Sequence, residues 1–258
     1  MFKWNSRTFV LADTADNTIT ESSQWPASTI QYDASWQTPD VQEVQRDGRR
    51  WYEFNNHLYP SISTVLSHTD VEGRAALTKW RKSVGESRAA QITQTAAARG
   101  TRWHTFCEKF VLREQIPWPL LTECADSVYA TLIANVLNQQ ITRVLAVETR
   151  VVSTHYKVAG RLDMAVELHD GRAAILDFKT GSKQKTGNRL ENYALQATFY
   201  ADALTEHMRR PIETIVIAQL LPQAIIWQES TLTHWRPLLA DRIEQFMQAQ
   251  ERIGDEVV

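Results

Sequence analysis

The sequence predicts a mixed α/β fold, because helix-like and strand-like segments follow one another along most of its 258 residues. Residues 74–113 and 191–204 are typical of helices, whereas residues 162–168 alternate apolar and polar side chains as a strand does. A chain of this length can bury a substantial core. We therefore expect a single main domain at residues 47–258, preceded by an acidic, polar extension at residues 1–46.

Composition narrows the classes of function. The formal net charge of −2 and the isoelectric point near 6.4 give no global sign of nucleic-acid binding, so any such binding requires a local basic patch. The two cysteines, Cys107 and Cys124, are too few for a four-thiolate zinc site or an iron–sulfur cluster. No apolar run approaches the roughly 18 residues of a membrane helix, and the N terminus resembles neither a signal nor a transit peptide. A cytoplasmic protein without a membrane partner is expected.

The N-terminal extension lacks basic residues over most of its length, whereas the segment after it has a pattern typical of a hairpin. Residues 8–45 contain no lysine or arginine, which predicts a segment that avoids phosphate groups. Residues 50–54 and 57–59 flank Asn55 and Asn56, a pattern that predicts a short hairpin. Ser61 or Ser63 then caps a helix, and such a helix start can also hold a phosphate; capping is the more common role.

Residues 74–113 predict two or three helices that break near Gly85 and Gly100. A group of cations in this stretch either binds a nucleic-acid backbone or forms an ordinary solvated helix face. These cations are Lys79, Arg81, Lys82, Arg88, Arg99 and Arg102. His104 follows the expected break at Gly100 and shares a helical face with Glu108, although a lone histidine is usually structural.

The remaining elements alternate between helices and strands. Residues 143–152 predict a strand in which Glu148 either joins a carboxylate-bearing face or pairs with Arg150. Residues 123–139 predict a helix, 212–220 and 224–227 predict strands, and 233–252 predict a closing amphipathic helix.

The most informative stretch is a predicted hairpin over residues 159–181. If His169, Asp170 and Gly171 form a three-residue loop with Gly171 in the left-handed conformation, Leu168 opposes Arg172 and Asp163 opposes Asp177. A two-residue loop would instead place Asp163 against Phe178, stranding a carboxylate beside an aromatic ring. The three-residue loop is therefore preferred.

Opposed carboxylates at this register require a positive group between them, since like charges on facing strands are destabilising. A hard divalent cation bound by Asp163 and Asp177 meets this requirement, with Lys179 aimed at the same point. An ordinary ion pair with Lys179 is the alternative. A second basic stretch, with Lys183, Lys185 and Arg189, follows the hairpin, and a helix then carries Gln196 and Tyr200 one turn apart.

The order of these motifs resembles that of the PD-(D/E)XK nuclease superfamily, in its RecB-like exonuclease branch. The motifs are His104, Glu148, Gly160-Arg161-Leu162-Asp163, Asp177-Phe178-Lys179 and Gln196 with Tyr200. Residues 59–66, 78–80 and 100–104 are similar to the mitochondrial genome maintenance exonucleases and related phage exonucleases. Leu162 replaces the proline that names the superfamily, and Asp177 is the shorter acidic option.

The resemblance implies a restriction-endonuclease-like core, a mixed β-sheet flanked by helices. It implies Mg²⁺ or Mn²⁺ ligated by His104, Asp163, Asp177, the Phe178 carbonyl and Glu148, with Lys179 orienting or activating the attacking water. Gln196 and Tyr200 would position the nucleic acid. Further nucleic-acid contacts are predicted at Ser61, Ser63, Lys79, Arg81, Arg102, Thr180, Lys183 and Lys185.

The function implied is that of a metal-dependent DNA exonuclease acting on single strands or ends in replication, repair or recombination. A replication or recombination protein is an expected partner, and a bacterial cell or phage-infected host the expected setting. A structure-specific endonuclease and a non-catalytic nucleic-acid-binding subunit remain alternatives. The members of the superfamily that carry an iron–sulfur cluster use four cysteines, so no such cluster is expected in this chain.

Overall fold

The computed structural model describes residues 4–11, 26–33, 39–46, 48–116, 124–208 and 210–255, with backbone alone at 124–127 and 252–255. Its helices are α1 (Ile62–Thr69), α2 (Val71–Val84), α3 (Glu86–Val111), α4 (Cys124–Gln140), α5 (Asn188–His207) and α6 (Trp235–Asp255). Its strands are β1 (Asn5–Val10), β2 (Gln31–Tyr32), β3 (Gln42–Arg46), β4 (Arg49–Phe54), β5 (His57–Pro60), β6 (Ile141–Val147), β7 (Arg150–Ser153), β8 (Val158–Arg161), β9 (Met164–Leu168), β10 (Ala173–Thr180), β11 (Thr214–Leu221) and β12 (Ala224–Thr231).

The described strands include a seven-stranded mixed sheet in the order β1, β12, β11, β10, β9, β6 and β2. Strands β10 and β11 run parallel, because α5 carries the chain across one face between them. Strands β9 and β10 are antiparallel, as are β11 and β12. This sheet flanked by helices confirms the predicted α/β class.

Apolar side chains cover both faces of the sheet. On one face, Ile175 and Ile217 pack with residues of α1, α5 and α6. On the other face, Leu176 and Phe178 pack with residues of α3 and α4. Since successive residues of β10 point to opposite faces, Asp177 and Lys179 lie on the α5 side. The end of β10 is thus enclosed between α5 and α3.

Strands from the N-terminal 46 residues join later parts of the chain. Strand β1 pairs antiparallel with β12, and β2 pairs parallel with β6. Strand β3 pairs with β4, across the division predicted between residues 46 and 47. Residues 1–3, 12–25 and 34–38 lie outside the described part, and the division into an extension and one domain stays a prediction.

Of the turn and helix-break signals within residues 50–113, two hold and one is wrong. Asn55 and Asn56 both have positive φ and join β4 to β5 as the expected tight hairpin. The helix break at Gly85 is also present. The break at Gly100 is wrong, because α3 runs through it; packing of α3 against β10 outweighs the modest helix cost of a glycine. Among the described helices, none combines the length and apolar character that crossing a membrane requires.

Candidate active site

A bend in a long hairpin brings two carboxylates together. The predicted strand at residues 143–152 is interrupted: β6 ends at Val147, and β7, which begins at Arg150, pairs with β8 in a separate small sheet. The partner strand breaks in the same place, between β8 and β9. Across this bend the Glu148 N–H donates to the Asp163 carbonyl at 2.8 Å, and Leu162 donates to Thr149 at 2.9 Å. Glu148 and Asp163 are therefore neighbours.

The register predicted for the second hairpin is confirmed. Strand β9 pairs with β10 from Glu167 opposite Ala173 to Met164 opposite Leu176, which is the register predicted from Asp163 opposite Asp177. Gly171 has a φ of 82°, as the three-residue loop requires. The regular pairing ends at Met164. Beyond it the Asp163 carboxylate turns to the backbone of β10 and accepts a hydrogen bond from the Phe178 N–H at 2.8 Å.

His104 approaches this carboxylate from α3. Its Nδ1 lies 3.4 Å from Asp163 Oδ1, and its ring meets the buried Phe178 ring edge-on at 6.0 Å between centroids. Burial opposes a charge on His104, but the neighbouring Asp163 outweighs burial and raises the histidine pKa. Burial likewise opposes ionisation of Asp163, yet His104, Lys179 and the Phe178 N–H hold its pKa below the usual value.

Glu148 completes a group of three possible ligands. Nitrogen or carboxylate atoms of His104, Glu148 and Asp163 all lie within 4.8 Å of one another. Burial, followed by the charge of Asp163, raises the pKa of Glu148. Of the two roles weighed for Glu148, the structure places it with the other carboxylate. Its ion-pair partner is Arg161, at 3.1 Å, while Arg150 donates to the Val41 carbonyl.

Asp177 belongs to a different arrangement from the group of three. Its side chain is 1% exposed, and Lys179 Nζ lies 2.9 Å from Oδ1 and 2.7 Å from Oδ2. The same ammonium donates to Gln196 Oε1 at 3.0 Å, and Gln196 donates to the Tyr200 hydroxyl at 2.8 Å. The Tyr193 ring lies 5.0 Å from Nζ. A hydrogen-bonded chain thus runs from Asp177 to Tyr200.

Burial and neighbouring charges act in opposite directions on both Asp177 and Lys179. Burial raises the pKa of Asp177, against the opposing effect of the lysine. Burial lowers the pKa of Lys179, but the carboxylates of Asp177 and Asp163 outweigh it, so the net shift is upward. Lys179 is therefore an ammonium group at neutral pH. Asp177 Oδ2, although close to Nζ, has no well-aligned hydrogen bond among the described residues.

These donors fit a divalent cation. Two atoms bound to one ion can be at most twice the metal–ligand distance apart, about 4.2 Å for Mg²⁺ and about 5 Å for Ca²⁺. The candidate ligand atoms of His104, Glu148 and Asp163 lie within 4.8 Å of one another, which is inside the larger of these limits. Carboxylate oxygens with one imidazole suit a hard or borderline ion. Among the described residues the group of three does not include Asp177, so the roles of Asp177 and of the Phe178 carbonyl as ligands stay predictions.

The group of three lines a cleft of about 510 Å³, which also receives Gln196, Tyr200, Ser61 and Ser63. Ser61 is buried and caps α1, accepting from the Thr64 N–H at 3.1 Å, which confirms the predicted cap. Ser61 and Ser63 also bond through their hydroxyls at 2.9 Å. Phosphate contact by either serine stays a prediction.

Sequence reasoning missed several residues that line the cleft. Arg50 lines it from β4, and Arg161 lines it from the end of β8, where its guanidinium lies 3.1 Å from Glu148. Tyr52 lies two residues after Arg50, on the same strand face, and this alternation was the available signal. Glu108 lines the cleft as well, one helical turn after His104.

The other predicted nucleic-acid contacts lie outside the cleft. Lys79 and Arg81 are exposed on α2. The Arg102 guanidinium lies 5.4 Å from the centroid of the Trp103 ring. Lys183 and Lys185 follow Thr180 in the loop after β10. Roles for all of these in binding nucleic acid stay predictions.

Comparison with known proteins gives a match at the level of a family. A family model described as the PD-(D/E)XK nuclease superfamily matches residues 75–253, which include the whole of the described site apart from its N-terminal wall. No curated protein matches the chain. A solved structure described as "Crystal structure of SSO0001" is 13% identical, with a TM-score of 0.34, covering 72% of this chain and 85% of that one.

Proposed function

The chain belongs to the PD-(D/E)XK nuclease superfamily, and from this premise we propose that it is a metal-dependent exonuclease acting on single-stranded DNA or DNA ends. The observation that supports this best is the convergence of His104, Glu148 and Asp163 beside the ion pair of buried Asp177 with Lys179. Membership of the superfamily itself indicates metal-dependent hydrolysis of nucleic acid. The exonuclease activity and the DNA substrate are the finer parts of the proposal.

The residues of the cleft, and the Asp177 and Lys179 pair bonded to Gln196, have distinct tasks in hydrolysis of a phosphodiester. A divalent cation, Mg²⁺ or Mn²⁺, would supply positive charge at the phosphate and acidify the attacking water when held by His104, Glu148 and Asp163. Asp177 and Gln196 fix the Lys179 ammonium by hydrogen bonds at 2.9 and 3.0 Å. An ammonium so placed stabilises negative charge that develops on the phosphate oxygens, with no reorganisation during the reaction.

Other residues that line the cleft are suited to holding the strand. Arg50 and Arg161 add positive charge there, which compensates the carboxylates and attracts phosphate groups. Gln196 accepts a hydrogen bond from Lys179 and donates one to the Tyr200 hydroxyl, so a substrate that contacts this face of α5 is linked through Gln196 to the ammonium group. This coupling supports a role for α5 in placing the scissile phosphate.

The order of motifs supports the choice of an exonuclease of the RecB-like branch. The segment Gly100 to His104 precedes the two carboxylate motifs, and the Gln196 and Tyr200 helix follows them. DNA replication, repair or recombination in a bacterial cell or phage-infected host is the proposed setting, with a protein of those processes as partner.

Linear and covalently closed single-stranded DNA of equal length test the proposal. The purified protein with Mg²⁺, and separately with Mn²⁺, should degrade the linear strand and leave the circle intact. Asp177→Asn should abolish this activity, whereas Asp241→Asn, an exposed aspartate on α6, should not change it. Circular dichroism of both variants establishes that folding is retained.

Three other outcomes would each overturn a defined part of the proposed function. Cutting of the closed circle would identify an endonuclease. Binding without cutting by either metal would identify a nucleic-acid-binding subunit. Full activity of Asp177→Asn would show that the site is wrong, whatever the reaction.

A further inference from the structure

Two basic stretches that are distant in sequence meet beside α3. Gly100 packs on the end of β10, where an added Cβ would lie 3.5 Å from the Thr180 hydroxyl oxygen. The loop that follows Thr180 therefore runs alongside α3. Arg88 and Arg99 of α3 and Ser182 of the loop line one groove, of about 920 Å³. Neither stretch predicts this meeting by itself.

A buried glutamine fixes the loop in place. Gln219 of β11 is 1% exposed and pairs with the backbone of Lys185, accepting from its N–H at 2.6 Å and donating to its carbonyl at 3.0 Å. Its amide also donates to Gln228 at 2.7 Å. Gly181 donates to Leu220 at 3.1 Å at the start of the loop. These bonds give the loop a defined conformation next to the end of β10.

The result is a concentration of like charges, which we name the basic patch: Arg99, Lys183, Lys185 and Arg189. Lys183 and Arg189 are exposed, and Arg99 has a buried Nε without a hydrogen-bond partner among the described residues. Burial, and then the charges of Arg189, Arg99 and Lys183, lower the pKa of Lys185. Glu86 is the acidic residue that lines the adjoining groove. A cluster of this kind is stabilised by a bound polyanion.

The basic patch and the cleft lie on different faces of α3. Gly100, His104 and Glu108 recur every fourth residue and face the cleft. Arg88, Ile92 and Arg99 face the groove, and a rotation of about 100° per residue places them on the opposite side of the helix. A phosphate at the patch is thus separate from the phosphate at the candidate metal ligands.

We propose that the basic patch is a second binding site for the substrate backbone, which holds phosphates of the strand outside the cleft. The proposal rests on the proposed function, in that the ligand is taken to be nucleic acid. It predicts that a strand long enough to reach both surfaces binds with more ionic contacts than one that fills the cleft alone. The patch acts on affinity and on the preferred strand length, and leaves the chemical step unchanged.

Salt-dependent binding tests the patch without any need for catalysis. Fluorescence anisotropy in EDTA compares single strands of about 5 and about 30 nucleotides, the shorter being near the size of one small binding site. Lys183→Gln and Arg189→Gln should each reduce the slope of log K against log salt by about 0.7 for the long strand, and together by about 1.4. Neither should alter the slope for the short strand.

Lys157→Asn is the matched control, because it removes one exposed charge at the turn between β7 and β8 and asparagine tolerates the positive φ there. Its slope should equal that of the wild type. Equal slopes for wild type and both patch variants would overturn the proposal, as would an equal loss in the control. Failure of the wild type to bind either strand would also overturn it.

The hydrolysis assay keeps this result distinct from the proposed function. If the patch variants lose slope as expected while the wild type never cuts DNA with Mg²⁺ or Mn²⁺, the patch stands and the nuclease activity fails. If the wild type cuts short strands while the slopes do not differ, the nuclease stands and the patch fails.

Discussion

The two halves of α3 have the same helical backbone and opposite surroundings. From residue 100 onward, Trp103, Phe106 and Phe110 are buried against the sheet and α4. Before residue 100, Ala89 is the buried side chain of the helix, and the large apolar Ile92 is 43% exposed. The core-packed half holds His104 at the carboxylates. The exposed half carries cations. The packed half therefore positions a candidate metal ligand, and the exposed half presents cations for the proposed binding.

The largest effect should come from removing a core side chain of the packed half. Phe106→Ala should lower the free energy of unfolding by roughly 3–5 kcal/mol, because Phe106 is fully buried. Ile92→Ala, in the exposed half, should change it by at most about 0.5 kcal/mol. Urea unfolding measures both. Similar losses of unfolding free energy at the two positions would show that the two halves of α3 contribute equally to stability.

A substitution in the same core-packed half of α3 should have a smaller effect, on catalysis. His104→Gln should reduce the rate of DNA hydrolysis on the order of 10²-fold, since it removes a nitrogen donor and an imidazole next to Asp163. His57→Gln, at the exposed first residue of β5, is the control and should leave the rate unchanged. Single-turnover kinetics with saturating linear DNA separates the chemical step from binding. Full activity of the His104→Gln variant would show that His104 is not part of the active site.

The loop beside the exposed half should respond to loss of its buried anchor. Gln219→Leu leaves the Lys185 peptide groups without their partner, at a cost of about 1–3 kcal/mol. Hydrogen exchange should accelerate at residues 182–187 and stay slow in the packed half of α3. Binding of the long strand should weaken while hydrolysis of the short strand persists. Unchanged exchange in the loop would show that other contacts hold it.

The smallest effect concerns the residue where the two halves meet. Gly100→Ala should stabilise the protein by roughly 0.5–1 kcal/mol, because α3 is continuous there and the added Cβ meets Thr180 at an ordinary contact distance of 3.5 Å. Gly85→Ala should instead destabilise it, by roughly 1–2 kcal/mol, since Gly85 has a φ of 84°. Thermal unfolding distinguishes the two. Destabilisation by Gly100→Ala would indicate that α3 is interrupted at residue 100.

Local signals were reliable where neighbouring residues determine the outcome. The asparagine pair predicts its hairpin, Gly171 predicts the loop and register of β9 and β10, and Ser61 predicts a cap. Gly100 misleads because the cost of a helical glycine is small beside the packing of Trp103 and Phe106. The interruption at Glu148 was not predicted, since its alternating pattern continues across the bend.

The sequence by itself determined the α/β class, the opposed register of Asp163 and Asp177, and the spacing of Gln196 and Tyr200. Each of these follows from side-chain periodicity or turn chemistry within a short stretch. Only the tertiary structure decided that Glu148 joins His104 and Asp163, that Lys179 bonds to Gln196, and that two basic stretches meet at Arg99. Those contacts join segments far apart in the chain, and the bend in the hairpin and the packing of α3 and α5 on the sheet set their distances.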